Sequence, residues 1–193
     1  MQLDKDFWNT RYAENETGWD LGAPSRPLKE YIDTLTDKDL RILIPGCGKA
    51  YEAEYLHQLG FTNVFVIDLA PLALDEFSKR VPSFPKAHLI VGNFFEHDQT
   101  YDLILEQTFF CALDPKMRTD YATKMHELLK PNGKLAGVMF CFELTEQGPP
   151  FGGSAKEYEG YFSNLFTIER MEPCLNSIAP RLGRELWVEL VRA

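Results

Sequence analysis

A chain of 193 residues, 45% hydrophobic and 25% charged, suffices for one packed domain and needs neither disulfides nor metals for stability. Its formal net charge of −9, with no run of Lys or Arg, argues against nucleic acid as the main partner, because phosphate binding draws on clustered cations. Cys47, Cys111, Cys141 and Cys174 show no C-x-x-C spacing and no neighbouring histidine of a zinc knuckle, so they read as reduced, buried thiols rather than a disulfide framework or a metal site.

The opening Met1-Gln2-Leu3-Asp4-Lys5-Asp6 is charged and lacks an apolar h-region, which predicts no signal peptide and a cytoplasmic location. The longest apolar runs are too short to cross a membrane. The first 35 residues fit no regular alternation and are expected to be a helical or loop extension packed over the ligand-binding edge of a sheet.

From Arg41 onward strands and helices alternate. The run 41–45 reads as a strand ending in Gly46-Cys47-Gly48, and 50–59 as a helix with Tyr51, Tyr55, Leu56 and Leu59 at helical spacing and Gly60 as its C-cap glycine. A second strand at 63–67 ends at Asp68, and Pro71 opens a helix over 71–80. Residues 87–91 and 101–106 are strand-like, and Asp114-Pro115 starts a helix over 115–129. Pro131-Asn132-Gly133 signals a turn before an apolar run at 134–142. Ser154-x-x-Glu157 is a capping box for a helix near 155–163, followed by strands at 165–171 and 185–191 with no helix between them. This alternation predicts a single α/β domain over 1–193 with a mostly parallel sheet covered on both faces and one antiparallel strand at or near an edge.

In open α/β sheets ligands bind beyond the carboxyl ends of the strands. Gly46-x-Gly48 lies there, where glycine lets a ligand approach backbone, and Asp68 ends the next strand, 22 residues after Gly46, where a carboxylate can accept from ribose hydroxyls. The pair suits a nucleoside, but Gly46-Cys47-Gly48-Lys49-Ala50-Tyr51 lacks the third glycine of a dinucleotide fingerprint, which disfavours a nicotinamide oxidoreductase. The plainer readings are a turn for the glycines and a helix cap for Asp68. Asn93 suits an adenine amino group with Phe94 against the ring; the alternative is a loop with a core phenylalanine. Glu106 and Gln107, polar at the end of an apolar strand, face a pocket mouth or water. Trp8 and Tyr12, four apart on a helical face, and Trp19 after Gly18 form either an aromatic staple or an aromatic wall against a cationic ligand. The four histidines are dispersed and follow no metal or catalytic pattern.

Taken in order, these segments resemble the thiopurine S-methyltransferase superfamily, and within it the plant and bacterial thiol and halide methyltransferase branch. The resemblance is carried by Trp8…Tyr12…Gly18-Trp19-Asp20-x-Gly22, Ile44-Pro45-Gly46-Cys47-Gly48-Lys49, Tyr101-Asp102-Leu103-Ile104…Phe109-Phe110-Cys111-Ala112-Leu113-Asp114-Pro115, Leu128-Leu129-Lys130-Pro131-Asn132-Gly133 and Gly148-Pro149-Pro150-Phe151. It implies a Rossmann-like class I methyltransferase fold with a seven-stranded sheet and S-adenosylmethionine as donor. It further implies Trp8, Tyr12 and Trp19 around the cofactor, Gly46 beneath its methionine moiety, Asp68 on the ribose, Asn93 and Phe94 at the adenine, Gln107 near the methionine end and Phe140 near the methyl group. The implied partner is a small acceptor such as a thiol, halide or thiopurine, and the expected state is a monomer or weak dimer. Tyr12 stands where the family usually has Trp, and Gln107 where it has Arg or Tyr. A non-catalytic nucleoside-binding module and a small-molecule O- or N-methyltransferase are the competing functions.

Overall fold

The apolar runs pair into one seven-stranded sheet in the order β3-β2-β1-β4-β5-β7-β6. The strands are β1 (Ile42–Pro45), β2 (Val64–Asp68), β3 (Leu89–Val91), β4 (Tyr101–Gln107), β5 (Leu129–Phe140), β6 (Phe166–Pro173) and β7 (Glu185–Arg192). In this computed structural model residues 3–193 are described; Met1 and Gln2, part of the charged opening segment, lie outside them. β7 runs antiparallel to both β5 and β6, so the one reversed strand lies beside the edge strand rather than at the edge itself.

Alternate strand residues feed two cores, because each strand's side chains point to opposite faces. Ile42 and Ile44 of β1 face α2 (Arg26–Asp33), α3 (Tyr51–Gln58) and α4 (Pro71–Arg80), whose Leu28, Ile32, Leu56 and Phe77 are buried there. Leu43, between them, faces α5 (Arg118–Leu128) and α6 (Ala155–Phe162) through Tyr121, Met125, Tyr158 and Phe162. A strand sandwiched this way must be apolar on both faces, which is why the parallel strands read as continuous apolar runs. The helix ends follow local chemistry: Gly60 caps α3 at φ +85°, Pro71 opens α4, and the Ser154 hydroxyl accepts from Glu157 N–H.

Several expectations are corrected. α2 belongs to the core, with Leu28 and Ile32 fully buried, so the part of residues 1–35 that lies outside the α/β layers ends before Arg26. α3 buries Glu52 and Ala53 besides Leu56, while Tyr55 and Leu59 pack partly buried against the same core. The helix expected over 115–129 begins with a 3-10 turn at Pro115–Met117, because the Asp114 carboxylate accepts from Lys116 N–H and tightens that turn. Pro131-Asn132-Gly133 is a bulge inside β5: pairing jumps from Tyr101↔Leu129 to Leu103↔Lys134, with Asn132 at φ +63°. β5 ends at Phe140, two residues earlier than expected.

Strand order reverses between β1 and β4, so the segments leaving their carboxyl ends diverge and open a crevice. α1 (Lys5–Ala13) packs against α4 at that end of the sheet.

Candidate active site

The floor of the crevice is the turn between β1 and α3. Gly46 and Gly48 have φ of +55° and +52°, and Ala50, the buried N-cap residue of α3, has +55°. Space demands glycine as much as conformation does: a β-carbon on Gly46 would run into the Phe109 ring, and one on Gly48 would lie 2.8 Å from the Tyr12 hydroxyl. Gly48 N–H donates to Asp68 Oδ2 at 2.9 Å and Ala70 N–H to Asp68 Oδ1 at 2.8 Å. Asp68 therefore ties the turn after β1 to the turn after β2. Burial pushes its carboxyl above the usual range, against the pull of these backbone donors.

One wall comes from the N-terminal segment. The Asp4 carboxylate caps α1 by accepting from Phe7 N–H at 3.0 Å, and Asn9 Oδ1 accepts from Leu72 N–H of α4 at 3.2 Å. Tyr12, 6% exposed, packs on Ala70 and Ala73. Trp19 meets Trp8 and Tyr12 edge to face at ring-centre separations of 5.5 and 5.9 Å. The chain after Trp8 and Tyr12 is tied down three more times: Arg181 donates to the Trp19 carbonyl at 2.8 Å, Lys49 pairs with Asp20 at 2.9 Å, and Ser25 N–H donates to Glu52 at 2.8 Å.

The opposite wall comes from the loops after β3, β4 and β5. Asn93 accepts from Phe95 N–H at 3.1 Å and donates to Glu96 at 3.0 Å, so its amide shapes its own turn and keeps one lone pair and one N–H for anything else. Phe94 is 4% exposed and packs edge to face on Phe95 and Phe109; half-buried Phe95 also reaches the wall. Gln107 ends β4 with its Oε1 buried and unpartnered. Glu106, expected at a pocket mouth or in water, is fully buried instead. It accepts from Phe109 and Phe110 N–H and from the Tyr121 hydroxyl at 2.8, 2.9 and 2.6 Å, which fixes the loop after β4. Burial raises its pKa to about 7 despite those donors.

At the far end Phe140 and Phe142 lie 5.3 Å apart, with the guanidinium of Arg181 5.5 Å from the Phe140 ring and that of Arg184 4.5 Å from Phe142. The loop after β5 folds back over this end: Phe151 N–H donates to the Cys111 carbonyl at 2.7 Å and buried Arg118 donates to the Gly152 carbonyl at 2.7 Å, which brings Pro149 and Pro150 to the wall.

These walls enclose one cavity of about 930 Å³, the size that holds a nucleoside-sized ligand together with a second small molecule. Trp8, Tyr12, Trp19, Gly46, Asp68, Asn93, Phe94, Gln107 and Phe140 all line it. Glu52, Phe109, Arg181 and Arg184 also line it and are not among the site residues expected from the sequence. Of these four, only Phe109 sits in a segment with a local signal, the polar residues that end the apolar strand.

The profile of one protein family, Thiopurine S-methyltransferase, matches residues 3–187. The chain belongs to the thiopurine S-methyltransferase family. It is 32% identical over 185 residues, 92% of this chain and 81% of the relative, to a probable thiol methyltransferase 2 of Arabidopsis thaliana. It is 26% identical over 212 residues to a thiopurine S-methyltransferase of Vibrio cholerae, covering 96% of this chain and 97% of the relative. In fold it resembles the 1,6-didemethyltoxoflavin-N1-methyltransferase of Burkholderia thailandensis, solved with S-adenosylhomocysteine, at a TM-score of 0.76 and 17% identity over 98% of this chain and 87% of that one. A member of this family is an S-adenosylmethionine-dependent methyltransferase, and the Rossmann-like class I fold with its mostly parallel seven-stranded sheet is the fold found here. Among the described residues no helix is long and apolar enough to cross a membrane.

Proposed function

We propose that this enzyme methylates a small thiol, with the donor at the Gly46–Asp68 end of the cavity and the acceptor at the Phe140–Phe142 end. The observation that carries the reading is the joining of Gly48 and Asp68 by a hydrogen bond at the foot of an aromatic-walled cavity. The residues fit S-adenosylmethionine. The glycine turn offers room that a β-carbon would fill, Gln107 holds a buried oxygen without a partner, and Asp68 supplies a carboxylate at the cavity floor. Asp68 would hold the ribose, the Asn93–Phe95 segment the adenine, and Gly46 and Gln107 the methionine portion. When bound, the cofactor supplies a methyl group on a sulfonium, already activated for displacement.

The chain's own task is then alignment and exclusion of water. Fixing nucleophile, methyl carbon and leaving sulfur in line contributes roughly 7–11 kcal/mol. The Trp8–Tyr12–Trp19 wall would offer π faces to a cationic ligand and cover it from solvent. Among the described residues no histidine lines the cavity, and the Tyr12 phenol is held protonated, since burial and Asp68 raise its pKa. A thiol, with a pKa of about 8.5, arrives partly as thiolate and needs no base from the protein, whereas a phenol or ammonium acceptor does. Phe140, Phe142, Pro149 and Pro150 at the acceptor end would strip water from that thiolate.

Incubation with methyl-labelled donor and a panel of thiols, phenols and amines tests the reading. Label on sulfur, at a rate rising with pH as thiolate accumulates, supports it; label on oxygen or nitrogen alone overturns the thiol assignment. Asp68→Ala should weaken donor binding by about 1.5–3 kcal/mol, and unchanged affinity by calorimetry removes Asp68 from the site.

A further inference from the structure

We propose that Arg184 selects acceptors that carry an anionic group separate from the sulfur that takes the methyl. The inference rests on placing the acceptor at the Phe140–Phe142 end. Every other arginine among the described residues donates at least one guanidinium hydrogen bond to a protein oxygen, whereas Arg184 donates none. No carboxylate lies within ion-pairing distance of it among the described residues, in a protein whose net charge is −9. Arg181, three residues earlier, is engaged by the Trp19 carbonyl and by Glu185 at 3.5 Å, so the two cations at this end are not equivalent.

Arg184 is nonetheless held in place. Its carbonyl accepts from Cys141 N–H at 2.7 Å, Gly183 before it turns the chain at φ +76°, and its guanidinium stacks 4.5 Å from the Phe142 ring on the cavity wall. Stacking on an aromatic face orients a guanidinium without consuming the in-plane N–H donors, which remain free to fork onto a carboxylate. An acceptor with sulfur toward the donor and a carboxylate toward the mouth would put an aliphatic linker across Phe140 and Phe142. A neutral thiol leaves the arginine with solvent alone.

The test compares 3-mercaptopropionate with the isosteric 3-mercaptopropionamide at saturating donor, in the native enzyme and in Arg184→Gln and Arg184→Lys. The native enzyme should favour the carboxylate by about tenfold in kcat/KM, the worth of one charge-assisted contact. Arg184→Gln should bring the two substrates to within about twofold, and Arg184→Lys should keep part of the preference, because lysine retains the charge without the fork. Native donor affinity in each variant shows that it is folded. Equal use of the two thiols by the native enzyme, or a preference that survives Arg184→Gln, overturns the proposal and leaves the thiol reading standing. If neither thiol is methylated while donor binds, it is the thiol reading that fails. Binding of propionate and propionamide to the enzyme loaded with S-adenosylhomocysteine then decides the role of Arg184. Tighter binding of propionate that is lost in Arg184→Gln supports it, and equal binding contradicts it.

Discussion

The hydroxyl of Tyr12 sits over Gly48 so closely that a β-carbon built there would lie 2.8 Å from it, while the next ring atom, Cζ, is at 4.0 Å. α1 and the glycine turn are thus fitted to each other by one oxygen atom. Gly48→Ala should destabilise the fold by about 1–3 kcal/mol and weaken donor binding, through this clash and the left-handed backbone. In the Tyr12→Phe background the clash disappears and only the backbone strain, roughly 1–2 kcal/mol, remains. A double-mutant cycle by urea denaturation should therefore show Gly48→Ala costing less beside Phe than beside Tyr. Strict additivity would mean that the two residues do not touch.

Glu106 makes stability depend on pH. Its folded pKa of about 7 exceeds the ordinary carboxylate value of 4.5, so the folded state holds the proton more tightly than the unfolded chain. The contribution is fully present below about pH 4.5 and is lost as pH rises through 7. Its full span is on the order of 3 kcal/mol. Glu106→Gln keeps a side-chain oxygen for Phe109 and Phe110 N–H without a titrating proton. The stability of this variant relative to the native protein should rise between pH 4.5 and pH 7, measured by denaturant midpoints across that range. A difference independent of pH would mean that Glu106 stays ionised in the fold.

The N-terminal wall is tied at Asn9, Trp19, Asp20 and Ser25, but residues 13–16 between these ties are exposed and Asn15 sits at φ +55°. A glutamate-specific protease should cut after Glu14 or Glu16 in the enzyme without ligand, and S-adenosylhomocysteine should slow that cleavage as the wall closes on it. Trp19→Ala should weaken donor binding and leave the domain folded. Equal cleavage with and without ligand would mark a static aromatic staple.

The parallel strands and the glycine turn could be read from the sequence because their causes are local: strands buried on both faces are apolar throughout, and a positive φ calls for glycine. Ala50 at φ +55° escaped that logic, since nothing in the sequence marks an alanine held left-handed by its surroundings. Glu106 is not legible as buried, because a charged residue at a strand end reads as facing the pocket mouth or water, and its partner Tyr121 lies fifteen residues on. Arg181 and Trp19 meet across 162 residues, and Ser25 and Glu52 across 27, so no spacing pattern announces either pair. α2 precedes the alternation and so reads with the wall before it, yet its apolar face completes the core.

The position of the transferable methyl group decides which end of the cavity holds the donor and which the acceptor. With donor labelled at that methyl carbon and phenylalanine rings labelled in the protein, nuclear Overhauser contacts report which ring it faces. Contacts are expected to Phe140, the ring between Arg181 and Phe142, and none to Phe94 or Phe95 at the other end of the cavity. Contacts to Phe94 or Phe95 with none to Phe140 would reverse the donor in its site and contradict the assignment of both ends.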